Sequence, residues 1–410
     1  MRALFSLFLL APLASADVRV VSPQGPFTQI QAAVDAANDG DLVLVKPGSS
    51  YVGFHVQAKS LSIVGDAGLT GVTVLGTVIV SDLAAAQIVS LTGLFVHGGA
   101  VAGVNVHFGL YSSNNLGSVR CQGCTFWSDA PTAIPANGYD GVRIESSSDV
   151  SLTACNIRGS GSNAEPGIPF IYTVGGAGLD CSSSTLTLCD STIYGGWGGF
   201  SFSFQSGDGG PGLGSTNSTI FSSNCTIDGG WGGDGWTTGP SPGQGGAGIF
   251  INPYWTSTVR VLDCALAGGP NGDYESTGQT APAYVGVLVF VSGTARTLAV
   301  AQNPLRELNA VSLSFHGAPG EQVYLLVGLE TAVQWDATRL ANFLIAPPQY
   351  RMLFVGTTNA TGDLGISLPF SDLGGTTQSR MYYLQPLFSG AGGAQQLGTP
   401  ITLAVLDQAF

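Results

Sequence analysis

The chain has 410 residues, of which 60 are glycine, 44% are hydrophobic and only 10% are charged. This hydrophobic content excludes a solvated, disordered chain, and the length is sufficient for two domains. The formal net charge of −13 at pH 7 excludes nucleic acid and anionic membranes as electrostatically attracted partners.

The first sixteen residues, MRALFSLFLLAPLASA, have the organisation of a secretory signal peptide. Arg2 precedes an apolar run from Leu4 to Leu13, and small residues up to Ala16 form a cleavage site. The run is much shorter than the roughly 20 residues that a membrane span needs. We therefore expect no membrane insertion and a mature protein, starting near Asp17, that is secreted or located at the cell surface or in the periplasm.

The segment FTQIQAAVDAANDGDLVLVKPGSSY, residues 27–51, predicts a short helix followed by a strand. Thr28 and Gln31 have the spacing of a capping box, and Phe27 is placed as a hydrophobic staple. The apolar face of this helix is formed by Ile30, Ala33, Val34 and Ala37. We expect the helix to cover the end of the fold that follows it.

The rest of the chain up to about residue 306 repeats with a period of roughly 35 residues. One strand pattern recurs at 89–96, 119–126, 150–157, 186–193, 220–227, 259–266 and 298–305. A second strand pattern recurs at 103–106, 141–144, 178–181, 212–215, 248–251 and 286–289. Apolar residues two apart indicate strands, and units this short must stack on one another, so the repeat predicts a β-solenoid.

Stacking places equivalent residues of successive strands about 4.8 Å apart, in columns. One predicted interior column contains Val119, Val150, Leu186, Ile220, Val259 and Leu298. Another contains Phe126, Ile157, Ile193, Ile227, Leu266 and Leu305. We expect the glycines at the corners between strands, where the backbone needs positive φ.

The opening segment, the early strand KSLSIVGD at 59–66 and the repeat together resemble the pectin lyase-like family of secreted bacterial repeat proteins. The resemblance covers about residues 17–306 and implies a right-handed parallel β-helix with an N-terminal cap helix. The family includes lyases, hydrolases, esterases, epimerases, adhesins and inert spikes, so the resemblance implies a fold and leaves the activity open.

From residue 307 onward, apolar and polar residues alternate between Gly, Pro and Asn turns. This pattern predicts a small antiparallel β-sandwich, similar to modules that end some secreted bacterial repeat proteins. The predicted organisation of this all-β chain is therefore a signal peptide at 1–16, a parallel β-helix at 17–306 and a β-sandwich at 307–410.

Seven cysteines in an exported chain leave at least one thiol unpaired within a molecule. Four of them share one repeat position: Cys124, Cys155, Cys225 and Cys264. The favoured interpretation is a column of small buried residues. Disulfides are the alternative, and the possible pairs are Cys124–Cys155, Cys225–Cys264 and Cys181–Cys189. The motif CQGC has no second such pair and no histidine nearby, so a zinc site is disfavoured and the metal content stays unknown.

One outward-facing group combines an acid, a base and a cation. The repeat alignment places Arg143 beside Asp180, and His107 beside Glu145, on adjacent strands. These residue types suit acid–base catalysis. For a calcium-assisted lyase, the resemblance implies Arg143 as the base, with Asp180 and Glu145 as the acidic residues. The alternative is a set of cross-strand charge pairs with a structural role only. The motifs that the resemblance implies for pectinesterases and polygalacturonases, DFIFG and the NTD, DD and GHG set, are absent.

Long glycine-rich loops at 195–210, 229–246 and 268–284 leave the solenoid at one corner. They carry aromatic and acidic residues suited to sugar rings, ions or hydroxyls: Trp197, Trp231, Trp236, Asp208, Asp234 and Asp273. The alternative is that the loops pack on each other and bury their own tryptophans.

The sequence therefore predicts an exported, non-catalytic protein that binds a polysaccharide or cell-surface glycan or has a structural role. The alternative is a carbohydrate-active enzyme, a polysaccharide lyase or glycosidase, acting on the outer face of the β-helix. The missing motifs and the scarcity of basic residues favour the non-catalytic protein. No cofactor is required, and calcium is the one that the acidic residues could hold.

Overall fold

The structure is a computed structural model that describes residues 16–66, 71–99, 107–131, 136–163, 173–200, 206–234, 241–272, 279–345 and 350–410. The predicted signal peptide lies outside these residues except for Ala16. Within the described part of the chain there is one helix, α1 Ile30–Ala36, and no helix has the length and apolar character to cross a membrane.

Residues 18–291 form a right-handed parallel β-helix, as the sequence predicts. Its strands are β1 Val18–Val21, β2 Leu42–Val45, β3 Tyr51–Gln57, β4 Leu61–Gly65, β5 Val72–Ser81, β6 Ile88–Thr92, β7 Leu94–His97, β8 Leu110–Ser113, β9 Ser118–Gln122, β10 Thr125–Trp127, β11 Val142–Glu145, β12 Asp149–Thr153, β13 Asn156–Arg158, β14 Leu179–Ser182, β15 Thr185–Cys189, β16 Thr192–Tyr194, β17 Leu213–Thr216, β18 Thr219–Ser223, β19 Thr226–Asp228, β20 Ile249–Ile251, β21 Thr258–Leu262, β22 Ala265–Ala267, β23 Tyr284–Val285 and β24 Leu288–Val291.

These strands belong to two sheets. Sheet 1 has the order β1-β2-β4-β6-β9-β12-β15-β18-β21-β24. Sheet 2 has a leading half, β7-β10-β13-β16-β19-β22, and a trailing half, β8-β11-β14-β17-β20-β23. The long strand β5 joins the two halves and also pairs with β3. Each rung therefore runs from sheet 1 through the leading half, a loop and the trailing half back to sheet 1.

The interior columns have the predicted register over five rungs. Val119, Val150, Leu186, Ile220 and Val259 are Cα partners in sheet 1, and all are buried. Phe126, Ile157, Ile193, Ile227 and Leu266 are partners in the leading half. The β-helix core is thus built from the positions that the repeat indicates.

The predicted sixth member of each column is wrong. Val259 pairs with Leu288, not with Leu298. The segment Thr297–Val300 (β25) pairs antiparallel with a strand of the C-terminal module, and Leu305 likewise joins that module. The architecture therefore changes before Thr297, earlier than the predicted boundary at 306. The prediction placed the boundary too late because residues 298–305 have the apolar spacing of a rung but pair with the C-terminal module.

The corners between strands are left-handed, but most are not glycine. The corners after sheet 1 include Ala154, Asp190, Asn224 and Asp263, with φ between 51° and 53°. The corners before sheet 1 include Asn114, Ser146, Ser183 and Asn217, with φ between 48° and 55°. Asn and Asp tolerate this region better than most residues. The expectation that glycine fills the corners is thus wrong for these rungs.

The glycines instead pack in the loops between the two halves of sheet 2, in a layered structure that we call the glycine slab. Its outgoing legs are 195–199, 229–233 and 268–272, and its return legs are 173–177, 206–210, 243–246 and 279–283. Amides and carbonyls join the legs in a continuous row of hydrogen bonds, 2.7 to 2.9 Å long, through Ser160, Gly176, Gly196, Gly210, Gly230, Gly246, Gly269 and Ala281. A Cβ on Gly196 would overlap the carbonyl oxygen of Ser160.

The cap helix α1 buries Ile30, Ala33 and Val34, as predicted. The predicted capping box is wrong, because the N-cap residue is Gln29 and no side chain caps the helix there. The Gln31 amide is used elsewhere, since its Oε1 accepts a 2.7 Å hydrogen bond from the backbone N–H of His55 in β3. This side chain joins the helix to the first rungs.

The C-terminal module consists of β25 Thr297–Val300, β26 Leu305–Arg306, β27 Ala310–His316, β28 Gln322–Gly328, β29 Thr331–Asp336, β30 Ala341–Ile345, β31 Arg351–Thr357, β32 Asp363–Pro369, β33 Ser379–Ser389, β34 Gln395–Leu397 and β35 Ile401–Leu406. A three-stranded sheet, β25-β27-β32, and a mixed sheet, β26-β35-β33-β28-β31, enclose one apolar core. This agrees with the predicted sandwich, apart from the parallel pairing of β26 with β35.

The module covers the outer face of sheet 1, so that every residue of β4, β9 and β12 is buried. Asn342 donates a 2.6 Å hydrogen bond to Thr187 of β15. Arg120 and Asp149 form an ion pair beneath the module, with Arg120 Nη1 donating to Asp149 Oδ1 at 2.7 Å. Because the module packs on sheet 1, the side chains of a binding or catalytic site have to be sought on the outer face of sheet 2.

We expect Gly196→Ala to lower the free energy of unfolding by about 1–3 kcal/mol or more, because the new methyl group overlaps a backbone carbonyl of the adjacent leg. Thermal and guanidinium unfolding followed by circular dichroism would measure the effect. Gly375→Ala is the control, since nothing lies within 4 Å of the position of its Cβ. Equal stability of the two variants would contradict close packing in the glycine slab.

Candidate functional site

The outer face of the leading half carries one column of large polar and aromatic side chains. Strand alternation points Val96, Phe126 and Ile157 inward, so the residue after each points outward. The outward column, in register from rung to rung, is His97, Trp127, Arg158, Tyr194 and Asp228. We call it the leading column.

A groove of about 290 Å³ lies between this column and the start of the glycine slab. His97 and Trp127 form one wall and Trp197 the other, with Gly159–Gly161 between them. Trp197 and Gly161 occupy equivalent positions of successive outgoing segments, so the groove opens where the later rung has an indole and the earlier rung has no side chain.

The walls of the groove are held by contacts among themselves. The Trp127 ring meets that of Phe95 edge to face at 5.0 Å, and His97 Nδ1 lies 2.8 Å from Asp129 Oδ1. The guanidinium of Arg158 lies 5.0 Å from the ring centroid of Trp197. Among the described residues no carboxylate forms an ion pair with Arg158. A guanidinium and two indoles therefore face one groove. The repeat positions of the tryptophans did not indicate that Trp127 and Arg158 would lie next to Trp197.

The structure brings Trp197 and Trp231 together, as their repeat position predicts. Their ring centroids are 6.0 Å apart with an interplanar angle of 29°. They are 53% and 60% exposed, so the loops do not bury their own tryptophans. The Trp197 ring therefore contacts both the Trp231 ring and the Arg158 guanidinium at the edge of the groove.

Two of the predicted acidic residues, Asp208 and Asp234, lie in or next to legs of the glycine slab. Asp208 lies in a return leg, where its Oδ1 accepts a 2.6 Å hydrogen bond from the backbone of Gln244. Asp234 follows an outgoing leg, and its carbonyl accepts a hydrogen bond from Ser206. Trp236 and Asp273 lie outside the described residues.

The predicted charged patch lies on the trailing half. Arg143 and Asp180 are Cα partners, as predicted. The predicted pairing of His107 with Glu145 is wrong, because the strand of the preceding rung is Leu110–Ser113, which pairs Glu145 with Ser113. His107 precedes that strand and stacks on Tyr139, with centroids 4.5 Å apart.

Two residues of this patch were missed in the sequence. Tyr111 donates a 2.7 Å hydrogen bond to Glu145, which accepts another from Arg143 Nε at 2.6 Å. Asp140 Oδ2 lies 3.5 Å from Arg143 Nη1, and its Oδ1 accepts a hydrogen bond from the backbone of Ala177. Asp140 directly precedes the recurring glycine of the second strand pattern. The sequence gives no sign that its carboxylate contacts Arg143, because this contact depends on the conformation of the loop before the strand.

The carboxyl groups of the patch differ in protonation. Burial, and secondarily the nearby Asp180, raises the pKa of Asp140 to about 7. Burial also raises the pKa of Asp180, against the effect of Arg143. Burial alone would raise the pKa of Glu145, but hydrogen bonds from Tyr111 and Arg143 leave it below its ordinary value. A neutral and an ionised carboxyl side by side are suited to acid–base chemistry.

All seven cysteines are free thiols in the structure. Cys124, Cys155 and Cys225 lie in the β-helix core, as a column of small residues. Cys181 also faces the core, whereas Cys189 alternates with the inward Leu188 and faces the C-terminal module, so the structure does not bring this pair together. Cys264 and Cys225 are adjacent, with the Cys225 amide 3.5 Å from Cys264 Sγ.

The described residues contain no group of three or more His, Cys, Asp or Glu side chains arranged to hold a metal ion. The CQGC motif has both thiols in the core, at Cys121 and Cys124. Calcium binding therefore stays a prediction without a described site.

We expect the stability of the protein to fall as the pH rises from 5 to 8, and the fall to be smaller in Asp140→Asn. The raised folded-state pKa means that the neutral acid favours folding, so its contribution is complete below the ordinary value of 3.8 and is lost as the pH passes about 7. Asp180 contributes in the same direction, so part of the slope stays. Melting temperatures across this range would test it, with the exposed Asp372→Asn as control; equal slopes in wild type and Asp140→Asn would contradict the assignment.

We expect Cys264 to be the first of the thiols to react with iodoacetamide at pH 7.5. A hydrogen bond from Cys225 lowers the pKa of Cys264 to about 7, whereas burial raises that of Cys124 to about 11 and that of Cys181 to about 12. Peptide mass spectrometry of the reduced protein would identify the site. Cys225→Ala should slow the labelling of Cys264; an unchanged rate would mean that Cys225 does not activate it.

No protein-family model matches the chain, and no curated protein matches it. Among solved structures it is similar to tailspike protein 2 of the Escherichia coli O157:H7 bacteriophage CAB120, with 11% identity, 94% of this chain and 68% of that chain covered, and a TM-score of 0.26. It is similar to pectin methylesterase from carrot, with 12% identity, coverage of 70% and 91%, and a TM-score of 0.28. It is also similar to the A-module of mannuronan C-5 epimerase from Azotobacter vinelandii, with 12% identity, coverage of 63% and 83%, and a TM-score of 0.20.

Proposed function

We propose that the protein is an exported, non-catalytic glycan-binding protein, and that one sugar ring of its ligand occupies the groove between Trp127 and Trp197. The observation that carries the proposal is the groove itself, in which two indoles and a guanidinium face a space that Gly161 leaves open. Aromatic faces contact the apolar C–H surface of a sugar, and fixed polar groups orient its hydroxyls.

The rigidity of the surroundings supports this function. Trp197 is fixed between hydrogen-bonded glycine legs, since its own carbonyl accepts a 2.9 Å bond from Ser162. Trp127 belongs to a strand that pairs on both sides. A preformed groove loses little conformational entropy on binding, which favours affinity for its ligand.

The charge of the chain narrows the class of ligand. A net charge of −13 repels polyanions at a distance, so a neutral polysaccharide or a neutral portion of a cell-surface glycan is favoured. Arg158 is the cation in the groove, and its donors would serve hydroxyl or acetamido oxygens.

Gly161→Leu tests the groove by filling it. The nearest atoms to a Cβ at this position are 3.5 Å away, so the side chain fits the backbone and projects into the groove. We expect a glycan-array signal of the wild type to fall at least tenfold in this variant and in Trp197→Ala, with the melting temperature retained.

Trp255→Ala is the matched control, because this exposed tryptophan lies in the turn between β20 and β21, away from the groove. Retained binding in Gly161→Leu would contradict the proposal. Equal losses in Trp255→Ala would move the ligand to another surface.

A second candidate function, a lyase or glycosidase acting at the charged patch, is favoured by one observation. Asp140 Oδ2 lies 3.5 Å from Arg143, which pairs with Glu145 at 2.6 Å, and burial raises the pKa of Asp140 to about 7. Release of unsaturated or reducing sugar ends, abolished by Asp140→Asn and retained in Gly161→Leu, would establish this function over the first. Binding without release favours the non-catalytic protein.

A further inference from the structure

The two ends of the β-helix are finished differently. At the N-terminal end, α1 places Ile30, Ala33 and Val34 in the core cluster and covers the first rung. At the other end, β24 is the outermost strand of sheet 1, and β22 and β23 are the outermost strands of sheet 2. The outer edge of β24 has no pairing strand among the described residues.

Side chains of the interior columns are uncovered at this second end. Phe290 continues the column of Val261, and Tyr284 continues that of Ile249. The two rings meet edge to face at 5.7 Å across the interior, yet Phe290 is 60% exposed. Solenoids need polar or covered terminal repeats to stay soluble, and the described residues 279–293 provide neither.

The segment that ends the β-helix carries no charged residue. Residues 279–293, QTAPAYVGVLVFVSG, contain no Asp, Glu, Lys, Arg or His. Val287, at the corner of this rung, is 80% exposed. In a chain of net charge −13, this is a face at which two copies could approach without local repulsion.

We propose that this open end is the interface of a two-fold symmetric homodimer, in which β24 pairs antiparallel with the same strand of a second copy. An edge strand related to itself by a two-fold axis is self-complementary, because each copy presents the same free N–H and C=O groups. Phe290 and Tyr284 would then be covered by their counterparts.

The capped end decides between a dimer and a filament. Head-to-tail stacking would require the open end to meet the first rung of the next copy. That rung is covered by α1. Lys59 Nζ holds the C-terminal turn of α1 in place by donating hydrogen bonds to the carbonyls of Val34, at 2.8 Å, and Ala37, at 2.7 Å. The association therefore closes at two copies.

Light scattering after size exclusion, on the mature chain under reducing conditions, tests the proposal. We expect twice the chain mass for the wild type at about 100 μM, and the single-chain mass for Val287→Glu/Phe290→Glu, with at least a hundredfold weaker self-association. Phe354→Glu is the control, because this residue is 53% exposed on β31 of the C-terminal module, and it should remain dimeric.

A monomeric wild type at this concentration, or a double variant that stays dimeric, would overturn the proposal. If the double variant folds poorly, amide hydrogen exchange of the wild type alone, measured at two protein concentrations, still tests the dimer. The amides of residues 288–291 that point away from β21 should be protected at high protein concentration in the wild type and lose at least tenfold of that protection on dilution. Protection independent of concentration would also reject the dimer.

Discussion

The contact of one backbone with another, without intervening side chains, sets the geometry of the exposed half of the β-helix. In the glycine slab the amide of Gly230 bonds to the carbonyl of Gly210, and that of Gly246 to the carbonyl of Gly230. Such an approach leaves no space for a Cβ, so side chains occur only at positions that face away from the other legs. Trp197 and Trp231 occupy two of these positions, where backbone packing brings their side chains together and the rings stack on each other.

A second constraint concerns which face of the solenoid is available. The C-terminal module removes the outer face of sheet 1 from solvent, and it does so over an ion pair between Arg120 and Asp149. Such a pair contributes little net stability when both partners are present, but either charge alone would be costly beneath the module. The leading column and the charged patch therefore both lie on sheet 2, on either side of the loops.

The sequence was sufficient for features that depend on the strand period, and insufficient for those that depend on loops. The interior column from Val119 to Val259 follows from apolar spacing alone, because alternate side chains of a strand point to opposite faces and only the apolar set can face the core. The position of Tyr111 beside Arg143 does not follow from apolar spacing, because the strand of that rung is Leu110–Ser113 and not the predicted segment 103–106. The repeat also does not show where glycine is required. A corner can be built from Asn224 or Asp263, whereas slab positions such as Gly196 exclude a Cβ, because the backbone of a residue far away in sequence lies against them. The inclusion of Leu298 in the solenoid shows the same limit, since its pattern suits either architecture.

The hydrogen-bonded glycines of the slab recur at intervals of three residues along each leg. Gly196 and Gly199 bond to the neighbouring layer, as do Gly230 and Gly233 in the next rung and Gly207 and Gly210 on the return leg. A loop that gained three residues on its outgoing leg and three on its return leg would extend the same lattice by one row, without disturbing the rungs below it. An insertion of one or two residues within a leg would instead shift its glycines out of register with those of the neighbouring legs.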